Sequence, residues 1–93
     1  MSRHPDYDEI LARFTRNGRL TSLPKVREKR AVLLDHISQV FEPGRQYPEK
    51  DVNELLRVFH DDFAMLRRYL VDEGFMEREA GVYRRSGGSW DVG

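Results

Sequence analysis

His60-Asp61-Asp62 sets a histidine beside two acids, the residue types of a general base with an orienting carboxylate or of a partial metal site. Adjacent residues at a helix start point in different directions, however, and no nucleophile motif accompanies the triplet. Asp61 acting as a helix cap explains these residues with less. His4 and His36 have no partner at i+3 or i+4 that would complete a site. The chain has no cysteine, which excludes a thiol nucleophile, a thiolate metal site and a disulfide framework. Gly44 and Gly81 are single turn glycines and Gly87-Gly88 precedes no helix, so no glycine-rich loop is set to cradle a phosphate. The expectation is a protein that is not an enzyme and uses neither cofactor nor metal.

Charge points elsewhere. The 16 Lys and Arg balance the 16 Asp and Glu, yet residues 1–41 carry +3 and residues 42–83 carry −4. From Arg13 to Arg30, seven basic residues face Glu28 alone. Such a block attracts phosphate even in a neutral chain, and the alternative is a solvated helix face. Arg16, Arg19, Lys25, Arg27 and Lys29 are the candidate phosphate contacts, which position a protein without reading sequence. Arg30 falls near an apolar stripe, so it is expected half-buried and paired with the Asp61-Asp62 carboxylates.

The elements that position these residues follow from hydrophobic period. Asp6-x-x-Glu9 has capping-box character, and Tyr7, Ile10, Leu11 and Phe14 then share one helical face. Asn17-Gly18 stops that helix, and Arg19-Leu20-Thr21 is extended or loop. A second helix runs from about Pro24 to about Phe41, with Val26, Leu33, Leu34, Ile37 and Phe41 inward, and Glu42-Pro43-Gly44 ends it. Tyr47 packs in a short extended segment. Pro48 opens a third helix carrying Val52, Leu55, Leu56 and Phe59, and Asp61 caps a fourth that buries Phe63, Leu66 and Leu70 and stops at Gly74. Stepping 100° per residue leaves Asp61, Ala64, Arg68 and Asp72 outward, with Met65 and Arg67 on the flanks. Residues 75–78 and 82–85 then read as two strands around a glycine-containing turn, with Arg84 and Arg85 on the second.

This order predicts an α+β, mainly α fold: a winged helix-turn-helix of three core helices and a C-terminal β-hairpin wing, preceded by one extra helix. Residues 1–17 form that helix, 18–85 the winged-helix domain and 86–93 a flexible tail linked through Ser86-Gly87-Gly88-Ser89 and holding Trp90. The extra helix either packs on the core or offers its apolar face to another chain, for instance as a homodimer contact.

Several segments carry a family resemblance. They are Gly18-Arg19-Leu20-Thr21-Ser22-Leu23-Pro24-Lys25, Phe41-Glu42-Pro43-Gly44-Arg45, Phe59-His60-Asp61-Asp62, Leu66-Arg67-Arg68 and Gly74-Phe75-Met76-Glu77-Arg78. Over about residues 18–85 the chain resembles a bacterial family known as domain of unknown function 2087. Its members often look like C-terminal domains of helix-turn-helix transcription regulators, so the resemblance implies transcription or nucleic-acid work by association.

Two function classes remain. The first is a non-catalytic, transcription-associated module that binds nucleic acid, as duplex DNA, through the basic segment, the wing arginines Arg84 and Arg85, and Arg67 and Arg68 of the fourth helix. The second is a protein-docking or dimerisation module, favoured by a fourth helix whose outward face holds carboxylates where a base-reading helix usually presents Arg, Lys, Asn or Gln. No run approaches the roughly 18 apolar residues of a membrane helix, and the amino terminus has no signal-like apolar region, so a cytoplasmic protein without membrane contact is expected. Leu, Ile, Val and Phe make about 26% of the chain, above the roughly 20% below which chains tend to stay disordered.

Overall fold

The computed structural model describes residues 4–86; the expectations for Gly87-Gly88 and Trp90 lie outside the described residues. The fold is α+β, with helices α1 (Tyr7–Phe14), α2 (Arg27–Ser38), α3 (Glu49–Arg57) and α4 (Phe63–Asp72). Five short strands accompany them: β1 (Thr15–Arg16), β2 (Arg19–Leu20), β3 (Gln46–Pro48), β4 (Met76–Glu79) and β5 (Val82–Arg85). β1 and β2 form a small antiparallel hairpin, and the other three make an antiparallel sheet in the order β3-β5-β4.

One apolar core joins all four helices to the sheet. Val32, Leu33, Leu34, Val52, Leu56, Leu66 and Leu70 are fully enclosed, with Phe41, Phe75 and Tyr83 beside them. Burial of each such side chain contributes roughly 1.5–3 kcal/mol. α1 adds Tyr7 and Ile10 to the same core, with Leu11 and Phe14 partly buried against it. The Tyr7 hydroxyl donates to Asp35 Oδ2 at 2.6 Å, tying α1 to α2.

Several local expectations are corrected. Asn17-Gly18 does more than stop a helix: both residues have positive φ, 53° and 80°, and form the two-residue turn between β1 and β2. This is the hairpin turn that Asn-Gly favours, because its twist matches that of paired strands. Asp6 stands at the start of α1 without a side-chain cap, since its φ of −104° and ψ of 22° leave the extended geometry that capping uses. α2 begins at Arg27 rather than Pro24, and Val26, expected inward, is extended and 57% exposed. Asp62, not Asp61, caps α4: its carboxylate accepts from the Met65 amide at 3.1 Å, an N-cap to N3 bond. The hairpin pairs residues 76–79, not 75–78, with 82–85, because its tight turn is the positive-φ pair Ala80-Gly81.

Other expectations stand. Gly74, at φ 84°, ends α4 in a left-handed cap, with the Phe75 amide donating to the Leu70 carbonyl at 2.8 Å and the Gly74 amide to Val71 at 3.1 Å. Along α4, Ala64, Arg68 and Asp72 face outward, Leu66 and Leu70 are buried, and Met65 and Arg67 are half-buried on the flanks. Tyr47 is buried in β3, edge-on to Phe41 with ring centroids 5.1 Å apart. Among the described residues no helix is long and apolar enough to cross a membrane.

Candidate nucleic-acid interface

The three residues of the His60-Asp61-Asp62 cluster serve the turn between α3 and α4. The His60 Nδ1 accepts from the Asp62 amide at 2.9 Å, Asp62 caps α4, and Asp61 holds Arg19 at 2.8 Å. Among the described residues no group of three His, Asp or Glu side chains converges as a metal site.

Four of the nine candidate basic residues are committed to partners within the chain. Arg19 donates to the carbonyls of Arg57 and Val58, at 3.1 and 3.2 Å, as well as to Asp61. Together with the Leu20 amide on the Phe59 carbonyl at 2.8 Å, it clips the β1–β2 hairpin to the α3–α4 turn. Arg67 bonds Asn53 Oδ1 on α3 and lies 3.9 Å from Glu49. Arg84 pairs across the hairpin with Glu77 at 2.6 Å, and that carboxylate raises the guanidinium above its already high range. Arg85 donates to the Phe41 carbonyl at 3.2 Å.

The other five, Arg16, Lys25, Arg27, Lys29 and Arg68, have side chains without a hydrogen-bond or ion-pair partner among the described residues. Arg16, Lys25, Arg27 and Arg68 are exposed and Lys29 is half-buried. Glu28, the one acid within the basic block, is drawn to His4 Nε2 at 3.1 Å. Lys25, Arg27 and Lys29 thus carry no ion pair among the described residues, with the Glu28 carboxylate beside them at the start of α2.

Arg30 fixes where that cluster sits. Its Nε bonds Glu73 at 2.6 Å, with the two side chains only 16% and 9% exposed. The expected partners Asp61 and Asp62 are instead at the opposite end of α4, occupied as hairpin clamp and helix cap. Arg30 Nη1 donates to the Lys25 carbonyl at 3.0 Å, and its guanidinium lies 5.0 Å from the Tyr69 ring centroid. Thus Lys25 emerges beside the C-terminal half of α4, the helix that presents Arg68. The β1–β2 hairpin bearing Arg16 is clipped to the other end of the same helix. α4, ten residues and about 15 Å long, thus has a segment bearing a cation anchored at each end.

The sequence reading missed the side chains that lock α4 to the sheet. Glu49 Oε1 accepts from the Tyr83 hydroxyl at 2.9 Å and faces Arg67, while Asn53, one turn further along α3, accepts from Arg67. Burial pushes the Tyr83 phenol above its usual pKa, and the hydrogen bond to Glu49 adds to the rise. The one available signal was the i, i+4 spacing of Glu49 and Asn53 on α3, which places them on one face.

A model of one protein family matches residues 19–85, more than half of the chain, and the chain belongs to that family, described as an uncharacterized protein conserved in bacteria (DUF2087). Neither the curated proteins nor the solved structures searched contain a match.

Proposed function

We propose that this protein is a non-catalytic winged-helix module of the bacterial cytoplasm that binds duplex DNA through phosphate contacts in a transcription-associated role. The winged-helix reading is supported by the order α2, β3, α3, α4, β4, β5 and by β3 pairing with the second strand of the hairpin. In this reading α3 and α4 are the helix-turn-helix and β4–β5 is the wing. The observation that carries the binding reading is the set Lys25, Arg27 and Lys29, which has no carboxylate partner among the described residues and is fastened through Arg30 beside α4.

Phosphate contacts then dominate over base reading. The exposed face of α4 offers one free arginine, Arg68, between Ala64 and the carboxylate of Asp72. Cations at both ends of α4 position the domain on a duplex without specifying its sequence. The test is fluorescence anisotropy with a labelled random-sequence duplex at low and at high salt. The expected result is binding at low salt that falls as salt rises. Absence of binding at any salt would overturn the proposal in favour of a protein-docking module, the reading that the carboxylates on α4 favour.

A further inference from the structure

A second surface carries the opposite charge pattern. Beyond the C-terminal end of α2, the exposed Val40 and the half-buried Leu55 line a groove with Glu42, Asp51 and Glu54 on its walls. Arg45 occupies Glu42 at 3.6 Å, while Asp51 and Glu54, three residues apart on α3, have no ion pair among the described residues. The groove, which Arg45 and Tyr47 also line, sets an aliphatic floor beside two carboxylates that have no ion pair among the described residues.

The complementary shape exists on the same chain. Val26, 57% exposed, lies in the chain between Lys25 and Arg27, which have no ion pair among the described residues. At the start of α2 an exposed aliphatic residue thus follows one cation and precedes another in the chain, while the groove sets an aliphatic floor beside two carboxylates. The two surfaces lie at opposite ends of α2, a helix of twelve residues and therefore about 18 Å long. One chain cannot bring its own two surfaces together, but a neighbouring copy can.

We infer that the occupant of this groove is a second copy of the chain, with Val26 seated against Val40 and Leu55, and Lys25 and Arg27 facing Asp51 and Glu54. The contact is heterologous, since each copy uses a different surface, so association continues head to tail or closes into a ring. Complementary charge sets the register and makes the contact sensitive to salt. Nucleic acid and the second copy compete for Lys25 and Arg27, although self-association does not depend on nucleic-acid binding.

Sedimentation of the full chain tests this. At about 0.05 M salt the weight-average mass rises with protein concentration, and at about 0.5 M, where screening is much stronger, it returns to that of the monomer. Two variants each neutralise one surface: Lys25→Gln with Arg27→Gln, and Asp51→Asn with Glu54→Gln, all at exposed positions. Each variant alone associates about tenfold or more weakly, while an equal mixture of the two restores a pair that stops at one copy of each. Unchanged circular dichroism of both variants shows that they are folded. A wild-type chain that stays monomeric at low salt, or a mixture that fails to pair, overturns the proposal. A monomeric wild type that nevertheless binds a free Lys-Val-Arg peptide in the groove also overturns it, assigning the groove to another protein.

Discussion

Arg30 and Glu73 form the most enclosed ion pair among the described residues, and its second carboxylate oxygen has no hydrogen-bond partner. Removing one member strands the other, so Glu73→Ala should destabilise the fold by about 3 kcal/mol in urea unfolding. Replacing the exposed Asp61, which holds Arg19 at the surface, should cost no more than about 1 kcal/mol. Tyr83 makes a prediction with a pH window. Its folded pKa is raised by burial and then by Glu49, so the unfolded chain ionises first as pH increases. The contribution of Tyr83 is complete below about pH 10 and is lost as pH rises through the folded pKa. Unfolding measured from pH 8 to 11 should show stability falling above about pH 10, and Tyr83→Phe should flatten that fall.

At the scale of elements, turn chemistry separates the two hairpins. Asn17-Gly18 is well suited to its two positive-φ positions, whereas Ala80 occupies φ 53° with a side chain that disfavours it. Ala80→Gly should therefore stabilise the β4–β5 hairpin by up to about 1 kcal/mol, a gain visible in the thermal midpoint. The cap of α4 gives a second prediction: Asp62→Ala should lose about 1 kcal/mol, which Asp62→Asn, an equally good cap, retains, read from paired urea curves. These positions also mark how far the sequence was legible. The α3 and α4 faces were readable because Val52, Leu56, Leu66 and Leu70 keep a helical period and are all enclosed. The β1–β2 hairpin was not, because strands of two residues show no alternation and Asn-Gly suits a helix stop as well as a hairpin. Asp61 and Asp62 were equally plausible caps by type, and only the chain direction at the turn decides between them. The Glu73 partner of Arg30 lies 43 residues away, a distance that no local pattern encodes.

At the scale of the whole molecule, a chain of zero net charge separates its charges in space. Cations without ion pairs among the described residues gather at the start of α2, and carboxylates without such pairs lie on α3 beyond its other end. The candidate site was legible as a block of charge, but composition could not tell which of those charges the fold would consume. Arg19 and Arg30 went to hairpin and helix anchoring, and Lys25, Arg27 and Lys29 have no such role among the described residues. The central claim is that these three cations meet DNA phosphates. It is tested most directly by the salt dependence of duplex binding for wild type and for the triple variant Lys25→Ala, Arg27→Ala, Lys29→Ala. Each phosphate neutralised contributes a slope of roughly −0.9 in log K against log salt. The triple variant should bind every duplex more weakly and flatten the slope by about 2–3 units. A slope equal to that of wild type would contradict the account.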